Sequence, residues 1–245
     1  MLDLASQDTH TLLHCIHTLY SFRDPETFGR DTLTLLEQLT PCPASVRVTH
    51  PAAYTAATYE SLCPDFERLL AVDLKETIEK HMYQITFFEG LALASQGENK
   101  CHKFSDFVTQ EQMWQLEANQ IIFAAIPYDD QMVIMVEGEV NLRDPFTYYT
   151  LYRSWGEWSE RDRLLLNLFH PHLVQAYHTI LHWQRQQHQI NELKESLDST
   201  GVIFLTPKGT AHAITRRASE WLRLYFPGVQ SPSRLPETLQ GWVNH

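Results

Sequence analysis

Cysteine is sparse in this sequence. There are four in 245 residues, Cys15, Cys42, Cys63 and Cys101, and no CxxC pair. This excludes a CxxC redox or zinc motif, and the thiols read as reduced side chains of a cytoplasmic protein. Long apolar runs are missing too. None approaches the ~18–20 residues that cross a bilayer as a helix. The start, MLDLASQDTHTLLHC, lacks the basic residues and small-residue cleavage site of a signal peptide. Glycine is scarce, and no GxGxxG, P-loop, GxSxG or HExxH pattern occurs. Catalysis therefore has little to rest on, and the chain is not expected to be an enzyme. Cations are outnumbered, 19 Lys and Arg against 30 Asp and Glu, for a net charge of −11. Residues 201–245 hold Lys208, Arg216, Arg217, Arg223 and Arg234 against Glu220 and Glu237, or +3, which leaves −14 on the first 200 residues. Such a surface repels a phosphate backbone, so the chain by itself is not expected to bind DNA.

What is present is material for a core. Apolar residues make up 43% of the chain, and the length allows one large domain or a moderate one with an appendage. In THTLLHCIHTLY, the residues Leu12, Leu13, Ile16, Leu19 and Tyr20 fall near one helical face. Asp24-Pro25 reads as a helix cap followed by a first-turn proline, opening a helix that stops before Pro41-Cys42-Pro43. A strand is expected near Ser45–Thr49, and helix from Pro64 to about Gly90. SQGENK (95–100) reads as a loop and CHKFSDF as a short strand or extended entry. Thr109 and Gln112 have capping-box spacing at the head of QEQMWQLE. Strands are expected at 121–127, 131–138 and 146–154, where β-formers cluster around Tyr128-Asp129-Asp130 and beyond.

A long helix should begin at Ser159, with Asp162 three residues on. It should bend or break near Asn167–Pro171, because proline removes a helical hydrogen bond. Beyond Pro171, apolar residues recur at three- and four-residue steps or their multiples: Leu173, Ala176, Ile180, Trp183, Ile190 and Leu197. They form a candidate two-stranded seam, with Gln187 at an otherwise apolar position. Gly201 should end the helix. A hairpin around Pro207-Lys208-Gly209 follows, then an amphipathic helix over RRASEWLRLYF. The expected class is α+β, an antiparallel sheet flanked by helices.

Four segments resemble, in order, one family. They are TLLHCIHTLYSFRDPETFGRDTLTLLEQLTPCPASVRVTHP, KFSDFVTQEQMWQL, WSERDRLLLNLFHPHLVQAY and GVIFLTPKGTAHAITRRASEWLRLYF. Together they are similar to the sensor half of bacterial LuxR-type transcriptional regulators, and WSERDRLLLNLFHPHLVQAY is the sharpest match. The resemblance implies a GAF-like sensor domain at 1–157, a connecting and dimerisation helix at 158–200, and a PAS-like hairpin-and-helix fragment at 201–245. It implies a homodimer that transmits a signal by population shift. Regulators of this kind run on into a DNA-binding helix-turn-helix. This chain stops at His245, so it reads as a piece of such a protein or as a short relative, with DNA contacted only through a domain outside the chain. The alternative is a stand-alone module acting on a partner regulator.

Three sets of side chains are candidates for a site. Phe87, Phe107, Trp114, Phe123 and Met135 could line a small-ligand pocket over the sheet, although aromatics at such spacing are more often plain core. Cys101-His102 could attach a cofactor or sense redox state if nearby cations lowered the thiol pKa. Phytochrome-like GAF photoreceptors attach a bilin to such a Cys, but there it follows the comparable Ser-Asp segment, whereas here the pair precedes FSDF. His178 and His182 have the i,i+4 spacing of a metal pair. They lack an evident third ligand, so no metal and no cofactor is expected.

Overall fold

The computed structural model describes residues 4–50, 57–71, 101–115, 120, 123–124, 126–138, 145–206, 210–227 and 235–243. Two helices open the chain, α1 (Ser6–Leu19) and α2 (Phe28–Leu39), followed by strands β1 (Ala44–His50) and β2 (Thr58–Ser61) and helix α3 (Pro64–Ala71). Then come β3 (Cys101–Lys103), a 3-10 turn (Phe104–Asp106), α4 (Gln110–Gln115), β4 (Asp130–Glu137) and β5 (Phe146–Arg153). A 41-residue helix, α5 (Glu160–Thr200), leads to the hairpin β6 (Ile203–Leu205) and β7 (Ala211–Ile214), and to helices α6 (Arg216–Tyr225) and α7 (Glu237–Val243). By compactness the chain divides into Met1–Leu181 and His182–His245.

The first unit is α+β, as the sequence predicts. Its sheet has the order β2-β1-β5-β4-β3, with every neighbouring pair antiparallel. Both faces are covered, and strand alternation sorts the side chains between them. Met132, Ile134, Tyr149 and Leu151 face one core with Leu12, Leu19, Leu33 and Leu36 of α1 and α2, and with Leu166, Phe169 and Leu173 of α5. Val46, Val48, Val133, Met135, Phe146, Tyr148 and Tyr152 face a second core, closed by Phe66 of α3, Met113 of α4 and Phe104. In the second unit, Thr215 caps α6 by accepting from Ala218 N, and its Oγ1 also accepts from Val202 N. Gly201 there has φ +64, and an added Cβ would lie 2.6 Å from the Trp221 ring.

Several local expectations need correction. In α1, Leu12, Cys15 and Leu19 are buried, whereas Leu13 and Tyr20 are exposed. Asp24 does not cap α2. It builds a turn instead, accepting from Glu26 N through its side chain and from Phe28 N through its carbonyl, so α2 starts later. Gln120, Phe123 and Ala124 are helical, and Ile126 and Pro127 lie in loop, so the described part of 121–127 is no strand. A lone apolar run carries no period that separates a buried strand from a helix. Nor does Pro171 break α5, which continues through it. The helical reading beyond residue 71 and the loop at 95–100 fall outside the described residues.

Candidate functional site

Among the described residues of the first unit, the entry to α5 is densely tied. Ser159 and Asp162 form a reciprocal cap: the Asp162 carboxylate accepts from Ser159 N and Oγ, and Ser159 Oγ accepts from Asp162 N. Around that cap, successive side chains reach different elements. Lys103 Nζ of β3 donates to Glu160 at 2.8 Å. Arg161 pairs with Asp8 of α1, and this interaction lowers the pKa of the Asp8 carboxyl. Arg153 of β5 donates to Asp162 at 2.8 Å, and its guanidinium lies 3.9 Å from the Trp158 ring centroid. Arg163 donates to both carboxylate oxygens of Asp106 in the 3-10 turn. The stretch WSERDR thus specifies the direction in which α5 leaves the sheet.

Asp130 extends this network. Its carboxylate accepts from Ser105 N and Oγ, from Gln131 N and from Trp158 N. Burial raises its pKa, while these donors oppose the shift. It borders a cleft of about 490 Å³, whose walls include Phe104, Val108, Met113, Asp129 and Glu157. With its lone pairs engaged, Asp130 serves as a strut between the cleft wall and the head of α5.

The second core carries the aromatic surface. Of the pocket candidates, Met135 is buried within it, and Phe107 is partly buried against it. Trp114 and Phe123 are exposed and lie together, ring centroids 6.1 Å apart. Phe87 lies outside the described residues. The tyrosines of β5 are not among the residues the sequence marks for a pocket. Tyr148 and Tyr152 lie on this face beside Tyr128, whose ring is 5.0 Å from that of Tyr152. Burial raises the pKa of all three hydroxyls. The alternation of Phe146, Tyr148 and Tyr152 in FTYYTLYR was the available signal. At the far end of β5, His50 stacks on Phe146 at 4.4 Å, and its buried Nε2 has no hydrogen-bond partner. Burial holds its pKa down to about 4.

Cys101 and His102 do not form a pair, because adjacent strand residues face opposite ways. Cys101 is buried in the core shared with α1, α2 and α5, and burial raises its thiol pKa. A thiol so placed is a poor nucleophile, although the Arg163 charge opposes the effect of burial. His102 lies near Phe107. The α5 histidines are dispersed. His170 Nε2 donates to Met135 O at 2.6 Å, and His172 Nδ1 is 3.0 Å from Tyr20 Oη. His178 and His182 are exposed. Among the described residues, no three His, Cys, Asp or Glu side chains group as metal ligands, and no helix is long and apolar enough to cross a membrane.

The seam candidates divide at the end of the first unit. Leu173, Ala176 and Ile180 are buried in the core of their own chain. Trp183, Ile190 and Leu197 are exposed, at 46%, 43% and 41%. Leu193, outside the expected seam, is 64% exposed and lies three residues after Ile190. From His182 to Thr200, every described side chain is exposed.

No family model and no curated protein matches the chain. Among solved structures, the LBD domain of VqsR from Pseudomonas aeruginosa is similar at 14% identity and a TM-score of 0.49, covering 73% of this chain and 98% of that one. The N-acylhomoserine lactone dependent LuxR family transcription factor CepR2 from Burkholderia cenocepacia is similar at 11% identity and a TM-score of 0.43, covering 72% of this chain and 96% of that one. Likeness of this degree decides neither the family of the chain nor what it binds.

Proposed function

We propose that the chain is the sensory and dimerisation region of a LuxR-type transcriptional regulator. In this reading, 1–157 is a cytoplasmic GAF-like sensor domain, 158–200 the connecting helix and 201–245 a PAS-like fragment. The ordered sequence resemblance supports it, above all at WSERDRLLLNLFHPHLVQAY. The aromatic second core is the surface for a small ligand, and α5 is the output. The signal changes the population of α5 packings, and thereby the presentation of DNA-binding domains outside this chain.

One observation carries this reading. A single helix is core as far as Ile180, with Leu181 partly buried, and from His182 to Thr200 it is exposed at every described position. A helix exposed on every side lacks the packed apolar face from which most helices in proteins draw their stability. Trp183, Ile190 and Leu197 recur at seven-residue steps, with Leu193 beside them, so a second copy in parallel register would set each apolar side chain against its equivalent. Sedimentation equilibrium of the full chain tests the proposal. A reversible dimer at tens of micromolar supports it, and a monomer at that concentration removes the seam.

A further inference from the structure

The register of β4 against β5 slips near its end. Met135 pairs with Tyr148 and Glu137 with Thr147, which leaves Val136 as an extra residue. Such a bulge re-aims the side chains beyond it. Here Val136 lies in the core that contains α5, and Glu137 reaches a residue of that helix as well. The bulge ends at Gly138, where φ is +74 and an added Cβ would lie 2.4 Å from Pro145 O.

Helix α5 takes hold of this bulge at two points. His170 Nε2 donates to the carbonyl of Met135 at 2.6 Å, just before the bulge. Tyr177 Oη donates to Glu137 Oε2 at 2.7 Å, just after it, and lies 3.1 Å from Thr147 Oγ1 on β5. The two side chains are seven residues apart, hence on one helical face, and they straddle Pro171. That proline has no N–H to give the carbonyl four residues back, so α5 is weakest in its own hydrogen bonding where the sheet grips it. The side chain of Met135 packs on the opposite face, in the aromatic second core.

We infer that the β4 bulge and the Pro171 segment of α5 form one two-point clamp, through which a backbone shift at Met135 on the aromatic face moves the helix on the other. His170 and Tyr177 are positioning residues in it. The clamp goes beyond the sensory reading and stands without it, since it needs no ligand and no dimer.

Amide hydrogen exchange of the full chain, read by mass spectrometry, tests this with Tyr177→Phe and His170→Leu. Tyr177→Phe keeps the ring and removes only the hydroxyl. The clamp predicts that either variant speeds exchange in both β4 and residues 167–177 of α5. The expected factor is about fivefold, the effect of losing one ordinary hydrogen bond. Exchange in α2 stays at the wild-type rate, and His170→Gln, which retains a donor, recovers part of the His170→Leu effect. Faster exchange in only one of the two segments, in neither, or in α2 together with them overturns the inference. Failure here would leave the dimer measurement untouched, so the two claims stand or fall separately.

Discussion

Asp162 shows how much one side chain can fix. It caps α5, neutralises buried Arg153 and accepts from Arg161. Replacing it with Ala removes the cap and leaves the Arg153 charge buried without its carboxylate. The expected loss is about 3–5 kcal/mol, the cost of breaking a buried ion pair from one side. A urea unfolding midpoint at neutral pH checks this, and Asp162→Asn should cost less because the amide oxygen still caps. His50 gives a second prediction. An unfolded imidazole takes up its proton near pH 6.5, whereas burial holds the folded one neutral down to about 4. Between those values the unfolded chain binds more protons, so stability falls as pH drops through that window. His50→Phe retains a ring to stack on Phe146 and should flatten the stretch between pH 6.5 and 5, as read by unfolding midpoints across pH.

At the scale of elements, the sequence was most legible where geometry is local. The caps at Thr109–Gln112 and Ser159–Asp162 are both formed, because a hydroxyl and an acceptor three residues apart satisfy helix-end donors wherever a helix starts. Strands β1, β4 and β5 lie within a residue or two of their expected bounds. What stayed hidden depends on distant partners. The β4 bulge shows only against β5, and the core role of Leu173 only against α1 and α2. The apolar steps of α5 look continuous along the sequence. Yet the helix is a wall of the domain up to Ile180 and an exposed stripe beyond it. Such a stretch draws no stability from packing within the described part of its own chain, and in the proposed dimer a second copy holds it. Exchange at residues 182–200 should therefore depend on protein concentration, slow at tens of micromolar and faster on dilution, while exchange in α2 should not change.

For the whole molecule, the candidate site was legible only in part. Met135 was read as a pocket residue and lies in the aromatic core, but Trp114 and Phe123 are exposed beside it. Tyr148 and Tyr152 stand out in the sequence only as β-formers, because strand alternation does not tell which face a ligand would meet. Cys101 and His102 look paired in sequence and are separated by the sheet. In the proposed function one helix belongs to two structures, the core of its own chain and a seam with a second copy. Two substitutions ten residues apart measure this most directly, each read by circular dichroism and sedimentation together. Ile180→Glu places a charge in the core and should unfold the domain or cost it several kcal/mol. Ile190→Glu should leave a folded monomer with a wild-type spectrum. If Ile190→Glu leaves the oligomeric state of the wild type unchanged, or Ile180→Glu remains as stable as the wild type, the account is contradicted.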